Sequence, residues 1–528
     1  MFHWLSGDWA MMRFAASLSL ALAFGSPLFA EEIEVIAQDP EMFRLPSVQA
    51  VQAIKGIGVI KAPANPSFWG IDIDKNTLTP ESPVNSAPDG TKVPFWSKDA
   101  LLLQLDPDIT AEELNALIDD KGLAVIKTYP ELGAIQVQTD LSKFVQPGFD
   151  DNSNNDTISN GVLSAMKHFN DDPRIVNAIP DTLLSDQTYD NVMSPTDVTL
   201  SIERTAGEQA DWGVASIEAN QAWSLDGATD GVMFGVLDDG FARHDDLVFM
   251  GFRSDNADNS HGNHVAGIAC ARHNNAVGVK GVLPNCFIRA KKEDFIFNAT
   301  EGGNIVKFVS SFSDIVSALD SFVRDENGIS TFNVSLGYNW RPNFGIDIDS
   351  PQNAQWRTWV ESQGRFMAQI LQFAQQRDKA IFSAAGNDSA DLAAAGSAKF
   401  ASPFNWAALT LRDLGLSRAG VVVEAHDPQG KRAAFSNSGG HIACPGTNIL
   451  SAVAFDANKV PSRSAYGRMS GTSMASPYCA AGHQLFMLVR PGYGAIEAID
   501  CLLTSSAKTD VGTPMLKLTQ ALAACPPK

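Results

Sequence analysis

Four short segments of this chain carry side chains suited to hydrolysis without a bound cofactor. That chemistry needs an activated nucleophile, a base, a group that orients the base, and donors for an oxyanion. The first segment, Gly235-Val-Leu-Asp238-Asp239-Gly240, delivers a carboxylate at the end of an apolar strand, where a glycine turns the chain. A buried carboxylate there is suited to hold an imidazole in one tautomer and to stabilise its cation. Strand-end aspartates also serve as plain loop caps. The second, His261-Gly-Asn-His264-Val-Ala-Gly267, reads as the start of a helix, with His261 expected to stand over Asp238. The third, Phe382-Ser-Ala-Ala-Gly386-Asn387-Asp388, sets an amide donor just past a strand end; read alone, it is also an ordinary Gly-Asn turn. The fourth is Met469-Ser-Gly-Thr-Ser473-Met-Ala-Ser-Pro477. Gly471 frees the backbone there, and Pro477 is expected in the first turn of a following helix, where its missing N–H costs nothing. Ser473 would then sit at a helix N-terminus, whose free amides favour developing negative charge.

The elements that must position these residues alternate in type from Trp212 onward. Strand-like runs at 232–237, 287–290, 331–336, 380–384 and 421–424 are separated by helix-length segments near 262–272, 303–324 and 356–377. Later helices are expected near 474–489 and 493–503. Such alternation predicts an α/β fold with a mostly parallel sheet covered by helices on both faces. Sites in such sheets lie beyond the carboxyl ends of the strands, which is where the four segments fall.

Taken together, the segments resemble the subtilisin-like serine peptidases over roughly residues 212–510. Asp238 matches the family's triad aspartate, His261 the first histidine of its His-Gly-Thr-His motif, and Ser473 the nucleophile of Gly-Thr-Ser-Met-Ala-Ser-Pro. Asn387 matches the oxyanion asparagine. Ser335, Leu336 and Gly337 match the strand that pairs with substrate, and Ala385 and Gly386 are placed with them as substrate-binding residues. The chain order Asp, His, Ser is that of subtilisin. The resemblance implies a serine endopeptidase acting on polypeptides through an acyl-enzyme, with no cofactor needed for the chemistry and no catalytic metal. A structural calcium ion is left open and unassigned. Two positions depart from the pattern: Asp239 stands where Thr or Ser is usual, and Asn263 where Thr is usual. The rival readings are a metal-dependent hydrolase using His244, His261, His264 and His273, and a catalytically dead binding protein on the same scaffold.

The first 211 residues read as a sequence of export and folding segments. Residues 1–30 are expected to be a signal peptide, with Arg13 before an apolar run from Phe14 to Phe24 and a small residue, Ala30, at the cut. Residues 31–97 are rich in proline and turn formers and read as a weakly structured extension. Residues 98–185 have the order β-α-β-β-α-β of a small ferredoxin-like unit. In it, Thr110 and Glu113 form a capping box ahead of Leu114 and Leu117. The resemblance implies that this unit is an inhibitor-like propeptide. A polar linker, 186–211, follows it with an expected processing site, and the catalytic domain is expected to span 212–528.

Composition bounds the remainder. A net charge of −21 over 528 residues argues against nucleic acid, whose phosphates need a basic counter-surface, and disfavours anionic membrane. Nothing after residue 30 is expected to meet a membrane, and a secreted or periplasmic monomer is expected. Six cysteines in an exported chain allow 15 pairings; Cys501 with Cys525 is the one specific pair expected.

Overall fold

One strand of the first sheet carries an apolar run where its neighbours alternate. Leu101, Leu102 and Leu103 are consecutive and all fully buried, so their strand is covered on both faces. The computed structural model describes residues 40–528, except 62–66, 73–91, 146–148, 150–153, 186–207, 239, 251–259, 293–296, 302–303, 327, 339, 390–395 and 457–459. The expected signal peptide therefore lies outside the described residues, as does most of the linker.

After a helix at Val48–Lys55 come β1 (Phe68–Asp72) and β2 (Lys92–Leu105). The Ala111–Lys121 helix starts on Thr110, whose side chain accepts from Glu113 N while Glu113 reaches back to the Thr110 backbone. β3 (Ala124–Tyr129) and β4 (Ala134–Gln138) follow, then the Asn155–Asn170 helix and β5 (Ile175–Ser185). The strands lie antiparallel in the order β5-β2-β4-β3. β2 begins at Lys92, across the boundary expected at residue 98, and β1 pairs with its first half. The 31–97 stretch thus holds a helix and two paired strand segments among its described residues. Proline-rich composition hid them, because their partners lie far along the chain.

β6 (Gln209–Ala210) opens the second half and later pairs with β8 (Val279–Lys280). β7 (Val232–Asp238) and β9 (Cys286–Lys292) are parallel neighbours. The segment 303–324, expected to be one helix, instead divides. β10 (Phe297–Glu301) and β11 (Asn304–Ser311) form a hairpin, and the helix starts only at Phe312 and runs to Asp325. Ser311 accepts from Asp314 N as its N-cap, which explains the break. β11 pairs antiparallel with β5 (Phe308 with Ser185, Ser311 with Leu183), so the hairpin continues the first sheet.

β12 (Thr331–Val334), β13 (Ala380–Ala384), β14 (Gly420–His426) and β15 (Ile442–Pro445) complete a six-stranded parallel sheet in the order β15-β14-β13-β12-β7-β9. Strand order reverses at β7, and the crevice at such a reversal is where α/β sheets place ligands. A hairpin of β16 (Ile449–Phe455) and β17 (Pro461–Met469) leads into the Thr472–Val489 helix. Every residue of that helix from Thr472 to Met487 is buried. An apolar helix of this kind belongs in the centre of a large core, yet no described helix is long and apolar enough to cross a membrane. Residues Pro40–Lys528 form one compact unit. Disulfides join Cys270 to Cys286, Cys444 to Cys479 and Cys501 to Cys525, the last being the pair expected.

Candidate active site

Asp238 is the last residue of β7 and fully buried. His261 is the first residue of the His261–Cys270 helix, and its Nδ1 lies 2.8 Å from Asp238 Oδ1. A carboxylate has only acceptors, so this contact places the proton on Nδ1 and leaves Nε2 as the basic nitrogen of the neutral ring. Two neighbours enforce the approach. A Cβ on Gly262 would meet the Gly240 carbonyl oxygen at 2.0 Å, so only glycine lets the helix come this close to the loop after Asp238. Asn263, fully buried, clamps the same loop from both ends of its amide: Oδ1 accepts from Ala242 N at 2.8 Å and Nδ2 donates to Ala242 O at 3.0 Å. The amide that stands at 263 in place of threonine thus pairs with both backbone groups of Ala242.

His264 belongs to the scaffold. Burial pushes its imidazole down to about 3, so it is neutral. Its Nε2–H is shared between Ile449 O at 2.9 Å and Gly467 O at 3.1 Å, which ties the His261 helix to the β16–β17 hairpin. His244 Nε2 meets Ala465 O at 2.9 Å and His273 Nε2 meets Gly281 O at 2.8 Å. The four histidines of the metal reading thus serve separate partners. Among the described residues, no group of His, Cys, Asp or Glu side chains gathers as a metal site. The acidic stretch 253–258, with Asp255 and Asp258, lies outside the described residues.

Ser473 lies in the first turn of the Thr472–Val489 helix, which packs on the His261 helix. Pro477 falls in the second turn, not the first as expected, because the helix begins as early as Thr472. A proline there withholds the N–H that would bond the carbonyl of Ser473, four residues back. Ser335, just past β12, replaces it: its hydroxyl donates to Ser473 O at 3.1 Å. Ser335 in turn accepts from Asn333 Nδ2 at 2.9 Å, and Asn333 Oδ1 accepts from Ser476 at 2.7 Å. All of these side chains are buried. A buried, fully partnered polar chain of this kind rigidifies what it touches, here the turn that carries Ser473.

Asn387 follows β13 and is fixed by Thr472. Its Oδ1 accepts from Thr472 N at 3.0 Å and from the Thr472 hydroxyl at 3.0 Å. A backbone N–H can only donate, so the carbonyl end of the amide must face Thr472, and Nδ2 is turned the other way as a donor. Thr472 also accepts from Gly386 N at 3.1 Å. Gly386 has φ +96°, and a Cβ there would lie 2.5 Å from the Ala401 Cβ. Behind it, Asp388 accepts from Asn437 Nδ2 at 3.0 Å, and burial pushes its carboxyl up to about 6.

The residues assigned to substrate divide into two groups. Ala385 N donates to Val423 O at 2.9 Å, and Gly386 uses its N–H on Thr472 and its C=O on Asn437 N. The N–H groups of Ala385 and Gly386 are thus committed within the protein. The Ser335 hydroxyl is likewise committed, to Ser473 O. Leu336 and Gly337 border an apolar pocket with Phe312, Ile315, Met367 and Phe404, and among the described residues the Gly337 backbone makes no hydrogen bond. Asn333, Thr472 and Ser476 were not singled out from sequence, and Asn263 was marked only as a departure from the family pattern. Asn333 carried a usable signal, being an amide between Phe332 and Val334 in a fully buried strand.

The geometry defines a class: an α/β chain in which an aspartate–imidazole pair, a serine heading a buried helix and a locked asparagine amide all stand at the carboxyl ends of a parallel sheet. The chain belongs to the subtilase family, whose profile matches residues 229–520. It is 27% identical over 302 residues to an alkaline protease of Alkalihalobacillus alcalophilus, covering 56% of this chain and 63% of that protein. It is 27% identical over 295 residues to subtilisin Savinase of Lederbergia lenta, covering 54% and 87%. To an extracellular basic protease of Dichelobacter nodosus it is 28% identical over 259 residues, covering 48% and 34%. The match thus spans less than two thirds of the first of these relatives.

Proposed function

We propose that the chain is an exported serine endopeptidase in which Ser473 attacks the scissile carbonyl of a polypeptide. His261 Nε2 takes the serine proton and then gives it to the leaving amine. Asp238 stays ionised and stabilises the imidazolium. The Asn387 amide and the Ser473 N–H receive the oxyanion. Water then releases the acyl-enzyme, with His261 again as base. The observation that carries this reading is the 2.8 Å Asp238–His261 contact in a chain whose serine turn and oxyanion amide are both locked. The Gly337 backbone, unpaired among the described residues, suits an extended substrate strand, and the apolar pocket beside it suits an apolar side chain of that substrate. Relatives named as proteases support the activity. Turnover of unfolded casein by the mature chain is expected to persist with a chelator present; activity lost to the chelator and restored by a metal would favour a metal hydrolase. Complete inertness toward casein would favour the dead-scaffold reading.

Export rests on the signal-like residues 1–30, on relatives named extracellular, and on three disulfides, which persist in oxidising compartments. Residues 98–185 are proposed as an inhibitor-like propeptide, cut by the enzyme itself within 182–211. In support, β5 ends paired with β11, next to the helix that lines the Leu336 pocket.

Asp181 makes that docking sensitive to pH. Its carboxylate caps the Phe312–Asp325 helix, accepting from Ser313 N at 3.0 Å and from the Ser313 hydroxyl, with Gln136 Nε2 at 3.3 Å. Tyr129 and Lys127 of β3 and Asp314 of the helix face the same place. Burial pushes the Asp181 carboxyl up to about 6, from 3.8. A pKa raised on docking means that the docked form takes up the proton. Docking is therefore strongest below about pH 4 and weakens as pH rises through about 6. Release of the cut N-terminal piece is expected to be faster at pH 7 than at pH 4.5, with Asp181→Asn flattening the difference. An unchanged difference in that variant would contradict the assignment.

A further inference from the structure

We infer that Asp211 is a positioning residue that sets the spacing between the helix carrying His261 and the helix carrying Ser473. This role rests on the triad proposed above and adds to it a side chain that touches neither the substrate nor the triad.

Asp211, the last residue of the expected linker, is only 8% exposed. It caps the short Trp212–Ser216 helix and reaches out with both oxygens. Oδ1 accepts from Gly213 N at 3.0 Å and from the Tyr478 hydroxyl at 3.2 Å. Oδ2 accepts from Leu450 N at 3.1 Å, with the Arg468 guanidinium 3.5 Å away. A carboxylate offers only lone pairs, which suits donors converging on it from distant parts of the chain. Burial raises its carboxyl above the ordinary 3.8, and these donors oppose the rise.

The first arm reaches the nucleophile. Tyr478 follows Pro477 in the same buried helix as Ser473 and is 1% exposed. A Cβ on Gly213 would overlap the Tyr478 ring, so glycine lets the capped segment lie against it. The second arm reaches the base. Leu450 lies in β16 between Ile449 and Ser451, and both neighbours hold His264. Ile449 O receives the His264 Nε2–H at 2.9 Å, and the Ser451 hydroxyl donates to His264 O at 2.8 Å. A Cβ on Gly267 would overlap Ser451 Oγ, so the hairpin lies directly on the His261 helix. One carboxylate thus spans the two elements whose separation decides whether His261 Nε2 reaches the Ser473 proton. Such a transfer needs the heavy atoms about 2.6–3.2 Å apart. A buried, partnered network rigidifies what it joins.

The test compares the mature enzyme with Tyr478→Phe, Asp211→Asn and the double variant. The readouts are kcat and KM on casein and the rate at which an organofluorophosphonate labels Ser473, each scaled to the folded fraction. Tyr478→Phe keeps the ring beside Gly213 and removes only the first arm. Asp211→Asn keeps Oδ1 for that arm but turns an NH₂ toward Leu450 N, which breaks the second. Each single change is expected to lower kcat and the labelling rate about tenfold, with KM unchanged. A misplacement of about 1 Å costs on the order of 10²-fold, and loss of one arm moves a helix less than that. A bridge needs both ends, so the double variant is expected to be no slower than the slower single one. Unchanged rates beside a lowered melting temperature would make Asp211 a purely structural cap and overturn the inference. Losses that multiply in the double variant would overturn it as well. If Asp211→Asn does not fold, Tyr478→Phe decides alone. An unsubstituted chain that does not label at Ser473 would instead refute the triad itself.

Discussion

A chain carrying Ser473→Ala is expected to accumulate as the uncut precursor and to hydrolyse casein, after cleavage by another protease, about 10⁶-fold more slowly than the unsubstituted enzyme. Loss of the nucleophile from subtilisin has an effect of that order, because the serine and histidine act as one unit. The fold is expected to survive. The bonds that hold the Ser473 turn use its carbonyl, through Ser335, and the adjacent Thr472, through Asn387; none of them uses its hydroxyl. Measuring precursor size by gel, together with turnover and thermal stability, separates the outcomes. Maturation of the purified variant on its own, or turnover within tenfold of normal, would remove Ser473 from its role.

Asp238→Asn is expected to lower kcat about 10⁴-fold while leaving KM and the fold nearly unchanged. The size follows from the equivalent change in a Ser-His-Asp peptidase, where the geometry survives but the imidazole takes the wrong tautomer. The same result is expected here because Oδ1 stands 2.8 Å from His261 Nδ1. An asparagine that turns its NH₂ toward Nδ1 must find a lone pair there, which moves the ring proton to Nε2 and removes the lone pair proposed to act as base on Ser473. The Gly262 approach and the Asn263 clamp do not involve Asp238, so the loop should hold its place. A kcat within tenfold of normal would mean that His261 is oriented by something else.

Much of this centre was readable from local chemistry. Asp238 falls at the end of an apolar run, His261 at the start of a helix, and Asn387 after a strand and a glycine. Those positions follow from short-range rules of strand, turn and cap. The parallel sheet was readable for the same reason, since its strands are apolar on both faces and separated by helix-length segments. What escaped depends on partners distant in the chain. Pro477 was placed one turn early because the loss of its N–H is offset by Ser335, nearly 140 residues upstream. The 303–324 segment was read as a single helix. Ile305, Val306, Phe308 and Val309 favour a strand locally, and pairing with β5 makes β11 one. Phe95 and Trp96 looked like part of a weak extension, since the helix that buries them begins at Ala354.

The account stands or falls on one hydroxyl being activated by one imidazole, and an organofluorophosphonate reads that directly. Incubation of the mature chain, followed by peptide mapping, is expected to find a single phosphonylated residue, Ser473, with the modification abolished by His261→Ala. An unmodified Ser473 in a chain that still cleaves casein, or a label carried by another residue, would contradict it.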